Sequence, residues 1–258
     1  MKTPALMASA AITLGLALNL VTPATAQAQL FQRPNEEFRS PKRYALELRF
    51  GPYSPHIDDE FPGAMYPPHK TYFGDGAHLM TQIEFDFQVF NRFGTAAVGI
   101  SAGYFSETAK ARNNQYAEPS GDDTSLSLFP FAVMLVYRAD QLWNQLRIPL
   151  VPYGKIGLNY TIWSIYNGNG QVAAGGGIMG GPGGRGRGGT RGWQGALGLS
   201  LALDFIDPGS ARELDSETGV NHTYIFAEWT KYAVSGLGQS GRLNVGDTSW
   251  VAGLMFEF

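Results

Sequence analysis

The last nine residues, Trp250-Val-Ala-Gly-Leu-Met-Phe-Glu-Phe258, decide how the chain is read. Trp250, Ala252, Leu254, Phe256 and Phe258 share one parity; Val251, Gly253, Met255 and Glu257 share the other. Successive side chains of a strand point to opposite faces. The segment therefore has one unbroken apolar face with an aromatic residue at each end, and one mixed face carrying a carboxylate. It stops on a bare Phe, although chain ends fray in water unless something ties them down.

The same two-residue period recurs upstream. In Tyr44-Ala-Leu-Glu-Leu-Arg-Phe-Gly-Pro-Tyr53, Tyr44, Leu46, Leu48 and Phe50 oppose Ala45, Glu47, Arg49 and Gly51. Between Leu79 and Phe90, Ile83, Phe85, Phe87 and Val89 oppose Gln82, Glu84, Asp86 and Gln88. Asn91-Arg92-Phe93-Gly94 reads as a tight turn, and Thr95 to Phe105 runs back with Ala97, Gly99, Ser101 and Gly103 on its small face. Leu126 to Tyr137 is a fourth strand; Pro130 predicts a bulge there, and apolar residues on both parities leave its facing open. Val151 to Tyr166 places Ile156, Leu158, Tyr160 and Ile162 opposite Lys155, Gly157, Asn159 and Thr161. Trp193 to Phe205 sets a leucine-rich face against Gln194, Ser200 and Asp204. His222 to Tyr232 carries aromatics on both parities, so its facing is also open. No helical period fits these segments as well.

The remainder of the chain reads as connections. Residues 54–76, 106–123, 167–192 and 233–247 are long; 91–94, 138–149 and 207–221 alternate with them. Helical turns are expected within 139–146 and near Glu213. At the front, Lys2, an apolar run from Ala5 to Val21 and Ala24-Thr25-Ala26 have the form of a secretory signal over 1–26, with Ala28 a nearly equal cleavage site. Residues 27–43 are rich in Gln, Pro and charge and read as a flexible periplasmic lead-in.

Composition narrows the class. The 258 residues carry a net charge of −3 and only 16% charged side chains, which disfavours a nucleic-acid partner. There is no Cys, so disulfide scaffolds, thiolate metal sites and Cys nucleophiles are excluded. About eight strands, mostly of spanning length, together with export and alternating short and long loops, predict an all-β, transmembrane, antiparallel up-and-down barrel over 44–258. Only a closed barrel lets strands cross hydrocarbon, because every backbone polar group must be paired.

The apolar parities then face lipid. Glu47, Arg49, Glu84, Asp86, Lys155, Asp204, Glu228 and Glu257 point inward, as a paired network filling a narrow lumen. Tyr44, Tyr53, Phe90, Tyr104, Trp163, Trp193, Phe205, Trp229, Trp250 and Phe258 lie near strand ends, where interfacial aromatic girdles sit.

Candidate chemistry is thin. His56-Ile-Asp-Asp-Glu60 could offer oxygen ligands to a divalent cation, joined by His69 and His78 only if the loop folds back. His222 with Ser200 or Ser249 and Glu228 supplies the residue types of a barrel lipid hydrolase or acyltransferase without any nucleophile motif. The run 175–192 resembles RNA-binding Gly/Arg segments; on an exported chain it reads as an external loop whose Arg185, Arg187 and Arg191 can meet lipopolysaccharide phosphates.

Several segments together resemble a family of uncharacterised outer-membrane barrel proteins of myxobacteria and relatives. The carrying residues are Tyr44 to Tyr53 with Pro55 and Ile57-Asp58, Tyr72-Phe-Gly74, Val151-Pro-Tyr-Gly-Lys155 and Asn221-His-Thr-Tyr-Ile-Phe-Ala-Glu228. More distantly, the layout is similar to small eight-stranded outer-membrane barrels. The resemblance implies the barrel and a location in the cell outer membrane, and carries no known catalytic residue, substrate or ligand; the chain is expected to be a monomer without cofactor or metal, in contact with outer-membrane lipid and lipopolysaccharide. It also implies that Trp250, Leu254, Phe256 and Phe258 form the signal read by the barrel-assembly machinery. The expected role is structural, adhesive or surface-interacting, with a lipid-modifying enzyme or a narrow channel as alternatives.

Overall fold

The structure is a computed structural model that describes residues 42–112, 119–141, 148–173, 186–239 and 242–258. The signal segment 1–26, the lead-in up to residue 41, most of the helical turns expected within 139–146, and Arg185 with most of its Gly-rich run lie outside these residues.

Eight antiparallel strands close into one barrel in sequence order: β1 (Tyr44–Tyr53), β2 (His78–Phe90), β3 (Thr95–Arg112), β4 (Pro119–Arg138), β5 (Leu150–Asn167), β6 (Arg187–Ala202), β7 (His222–Ala233) and β8 (Asp247–Glu257). Helix α1 (Pro68–Phe73) lies in the β1–β2 connection and α2 (Pro208–Thr218) in the β6–β7 connection. No helix among the described residues is long and apolar enough to cross a membrane.

Closure is made by the C-terminal segment. β8 pairs with β1 from Ala45↔Glu257 to Phe50↔Ala252. Phe258 N–H donates to the Tyr44 carbonyl at 2.8 Å, and the Phe258 carbonyl accepts from Arg43 N–H at 2.7 Å. Lys42 lies 3.2 Å from Glu257, so the last two residues of the expected flexible lead-in are fastened to the barrel.

The register also sets the tilt. Following the pairs of Ala45 through Asp86, Gly99, Met134, Gly157, Gln194 and Tyr232 leads to Asp247. Asp247 lies ten positions before Glu257, the residue that Ala45 itself pairs with. A stagger of that size in eight strands requires a tilt of about 40°, which leaves a lumen just wide enough to fill with side chains.

Alternation places the charged residues inside. On β2, Met80, Gln82, Glu84, Asp86 and Gln88 are buried while Ile83, Phe85, Phe87 and Val89 are exposed. Both strands of open facing are settled by the same criterion. β4 buries Leu128, Pro130, Ala132, Met134 and Val136 and exposes Phe129, Phe131, Val133, Leu135 and Tyr137. β7 buries His222, Tyr224, Phe226, Glu228, Thr230 and Tyr232 and exposes Ile225 and Trp229. Each has apolar residues on both faces because part of the lumen is itself apolar.

Pro130 makes no bulge. The β4–β5 register runs through Pro130↔Thr161 unbroken, and the β3–β4 pairs on either side of it keep one register. The Pro ring points inward, where Gly103 leaves room for it: a Cβ there would lie 3.0 Å from Pro130 Cγ. The register shifts instead at Gln88/Phe90 and at Lys110/Arg112. In the expected 91–94 turn, Gly94 takes φ +114°, a value L-residues rarely adopt.

Two expected long loops are shortened by strand. β3 continues to Arg112 and β4 begins at Pro119, replacing the loop expected over 106–123. β6 begins at Arg187, inside the loop expected over 167–192, so Arg187 and Arg191 lie on a strand. β3 to β6 have 18, 20, 18 and 16 residues, against roughly 9–11 needed to cross hydrocarbon. Together they extend past the barrel wall as a projecting sheet. This sheet marks the long-loop end of the barrel, and Tyr44 and Phe258 lie at the opposite, short-turn end.

Candidate functional site

The lumen holds one connected ionic network. Arg49 on β1 is fully enclosed and reaches two strands, its guanidinium donating to Glu84 and to Glu228. Lys155 on β5 donates to Glu47 and to Glu84, the latter at 2.8 Å, and stands 3.9 Å from Glu228. Arg138 on β4 donates to Asp86 and, at 3.2 Å, to Glu47. Tyr153 and Thr230 hydroxyls donate to Glu228 at 2.9 and 2.8 Å. Three cations thus hold four carboxylates across β1, β2, β4, β5 and β7. Small residues make the space: a Cβ at Gly99 would run into the Asp86 carboxylate, and one at Gly198 into Tyr153.

Glu47, Arg49, Glu84, Asp86, Lys155 and Glu228 are the sequence-expected members that meet here. Glu257 is also inside, at the short-turn end, accepting from Gln88 at 2.6 Å. Asp204 is a correction. β6 ends at Ala202, and Asp204 sits in the turn beyond it, bonded to His222 Nδ1 and to Thr223 N–H at 3.2 Å. The Asp207-Pro208 start of α2 follows immediately and prevents β6 from running on. Arg138 was missed because the expected fourth strand stopped at Tyr137 and residue 138 was assigned to the connection 138–149, whereas β4 runs on to Arg138.

Apolar layers seal the network on both sides. Toward the short-turn end, Ala45, Val151, Tyr153, Ala202, Tyr224, Phe226, Val251 and Met255 pack together. Toward the long-loop end, Tyr53, Ile57, Met80, Phe105, Leu126, Leu128, Tyr232, Val234 and Val245 form a second layer, with Phe61, Phe73 and Trp163 against it.

That second layer is roofed by the β1–β2 connection, expected as a long loop over 54–76. Ile57 is fully buried in it. The Asp58 carboxylate accepts from His69 N–H at 2.6 Å and Lys70 N–H at 2.9 Å, fixing the start of α1. His69 Nε2 lies 2.6 Å from Glu107 on β3, and His78 Nδ1 lies 3.5 Å from the same carboxylate. Asp58 is therefore committed to backbone donors rather than free for a cation with His56. Among the described residues, the carboxylates close enough to share an ion are Glu47, Glu84 and Asp86, and Arg49, Lys155 and Arg138 already hold them.

The expected hydrolase grouping is dispersed. Ser249 donates to the Pro52 carbonyl at 2.5 Å, at the long-loop end. His222 pairs with Glu257, eight positions along β8 from Ser249, or about 27 Å. Ser200 pairs with Phe226, four positions from His222, or about 13 Å along the strand.

The aromatic residues divide. Tyr104, Trp193, Trp229 and Trp250 project outward near the long-loop end, with Phe129 5.1 Å from Tyr104 and Trp250 4.8 Å from Trp229 between ring centroids. Tyr44 and Phe90 are exposed at the short-turn end; Phe205 is exposed in the turn after β6, and Phe258 is half-buried. Tyr53 and Trp163 are corrections: both sit on inward parities and pack in the upper apolar layer, Tyr53 donating to the Val245 carbonyl. Of the closing-strand residues expected to serve assembly, Trp250 and Leu254 are exposed on the barrel exterior and Phe256 is half-buried.

The exterior is overwhelmingly apolar. Leu197, Leu158, Leu135, Ile100 and Ile156 are each 59–74% exposed, and similar residues surround them on every strand. A surface of this extent far exceeds the apolar patches that soluble monomers tolerate and suits hydrocarbon as its solvent.

No protein-family model matches the chain, and no curated protein does. Solved structures give distant similarities. The outer membrane protein OprG of Pseudomonas aeruginosa is 13% identical with a TM-score of 0.43, over 85% of this chain and 97% of that one. The N-terminal β-barrel domain of OprF of Pseudomonas aeruginosa is 12% identical with a TM-score of 0.40, over 84% and 100%. The attachment invasion locus protein Ail of Yersinia pestis, in complex with the heparin analogue sucrose octasulfate, is 10% identical with a TM-score of 0.39, over 84% and 97%.

Proposed function

We propose that this chain is a monomeric outer-membrane β-barrel with a filled lumen, whose long-loop end serves a structural, adhesive or surface-interacting role. The observation that carries the proposal is the inversion of its packing: buried ion pairs inside and exposed aliphatic side chains outside. That is the arrangement of a solute in lipid rather than water. The signal-like segment 1–26 supports export, and the projecting sheet of β3 to β6 supports a role in surface contact. Beyond the aromatic residues, the outward positions of that sheet turn polar: Ser106, Thr108 and Lys110 on β3, Asp123 and Ser125 on β4, Ser164 and Tyr166 on β5. Capture by the barrel-assembly machinery through Trp250, Leu254, Phe256 and Phe258 belongs to the same proposal, as does membership of the uncharacterised outer-membrane family that the sequence resembles.

The test is made on the full-length protein in cells. It is expected in the outer-membrane fraction, running at different gel mobilities before and after boiling in detergent. In planar bilayers it gives no steady conductance, because salt bridges and two apolar layers fill the bore. Recovery in the soluble fraction with a single mobility sinks the membrane reading; stable channels sink the filled lumen.

A further inference from the structure

The barrel exterior carries a furrow of approximately 870 Å³ bordered by two rows of outward side chains. The register defines the rows. One runs Leu46, Phe85, Ile100, Val133 and Leu158 and continues just beyond the furrow to Trp193; the next runs Ile83, Ala102, Phe131, Tyr160 and Arg191. The small side chain of Ala102 opens the gap between Ile83 and Phe131. Since the pairing advances ten positions per circuit, a row followed from β1 to β6 climbs from the short-turn end toward the long-loop end. The furrow therefore rises through the apolar band and ends at Arg191.

Its upper end is cationic. Arg191 is exposed, two positions from Trp193 on the same face of β6. Lys231, paired with Gly195, leans over Trp193 with Nζ 6.0 Å from the ring centroid. Arg187 lies further up the same face of β6. No ion pair among the described residues engages these three cations. The carboxylates of β5 to β8 are Glu228, Asp247 and Glu257, and all three are buried. An apolar channel headed by unpaired cations beside an interfacial indole matches an acyl chain attached to a phosphate.

We propose that this furrow is the seat of a phosphorylated glycolipid of the surrounding leaflet, its acyl chain lying along Leu158, Val133 and Ile100 and its phosphate held by Arg191 and Lys231. Arg suits the phosphate through paired parallel donors, and the Trp193 ring separates the two cations at the depth of the headgroups. The inference rests on the membrane reading above and deepens it by naming the lipid class.

The experiment uses the full chain refolded in zwitterionic detergent, with boiling-dependent gel mobility as the check on folding. Diphosphoryl lipid A is the probe, with phosphatidylcholine and inorganic phosphate as competitors. The folded protein is expected to bind lipid A saturably and to keep it against both competitors. Arg191→Gln with Lys231→Gln should weaken binding about tenfold or more, since charge-assisted hydrogen bonds are lost. Thr248→Asp, which sets a carboxylate beside Lys231 without removing a cation, should weaken it as well. Binding unchanged in both variants, or equal displacement by phosphatidylcholine, overturns the seat. A wild-type protein that shows no folded, boiling-sensitive band instead overturns the barrel in the membrane, a separate failure.

Discussion

Arg49→Met tests the lumen network directly. The side chain is fully enclosed and donates to both Glu84 and Glu228, so Met fills similar space but leaves two carboxylates with one cation between them. That cation is Lys155, 2.8 Å from Glu84 and 3.9 Å from Glu228. Removing one partner of a buried pair costs about 3–5 kcal/mol, because the remaining charge stays dehydrated. Glu228 keeps its hydrogen bonds from Tyr153 and Thr230, which places this site near the lower end, about 3 kcal/mol. Combining Arg49→Met with Glu228→Gln removes one of the orphaned charges. The double variant should therefore be more stable than Arg49→Met alone, with a coupling of about 2 kcal/mol. Reversible urea unfolding in phospholipid vesicles, followed by tryptophan fluorescence, measures each corner of the cycle. A cost under about 1 kcal/mol for Arg49→Met, the scale of a solvated surface pair, would refute the reasoning, as would additive single changes.

Other perturbations give distinct signatures. Leu158→Arg puts a charge on the lipid-facing wall and should cost about 2–4 kcal/mol in vesicle unfolding, whereas the same change on a solvated surface would be nearly silent. Asp207 caps α2 by accepting from Gly209 N–H and Ser210 N–H, and its hydrogen bonds with Ser210 hold its carboxyl below the usual range. A depressed folded-state value means that the cap's stabilisation is present above the ordinary carboxylate range and is lost as pH falls through the folded value. Amide exchange across 208–218 should stay slow from neutral pH down through that ordinary range and accelerate only below it. Asp207→Ala should speed the same exchange at neutral pH while leaving the barrel strands unchanged.

Much of the fold was legible because hydrocarbon and a charged lumen impose a strict two-residue period. β2 alternates without a break, and its expected and observed limits differ by a single residue. Where the lumen is apolar the period carries no sign, so β4 and β7 could be located but not oriented, and Arg138, one residue past the expected end of β4, was read as part of a connection. Tyr53 and Trp163 failed for a different reason. Each lies on the parity of its strand's inward charges, Arg49 and Lys155, and that parity was the better guide than closeness to a strand end. The extensions of β3, β4 and β6 were illegible because, above the membrane, a strand can show Ser, Thr, Gly or charge outward and then looks like a loop, whereas β5 was read to within one residue of each end. The roof that the β1–β2 connection makes over the upper apolar layer was missed because its anchors are long-range: Asp58 meets His69, and His69 meets Glu107, contacts that no local pattern encodes.

The absence of Cys from the chain allows the central claim to be read residue by residue. Single cysteines at Ile83, Phe85, Phe87, Val98 and Ile100 on the outward faces, and at Gln88, Ala97 and Ser101 on the inward faces, can each carry a small fluorophore in vesicles containing brominated lipid. Strong quenching is expected at every outward position and little at the inward ones, reversing between Phe87 and Gln88, between Ala97 and Val98, and between Ile100 and Ser101. Uniform quenching on both parities, or none on either, would contradict a lipid-embedded barrel with a filled lumen.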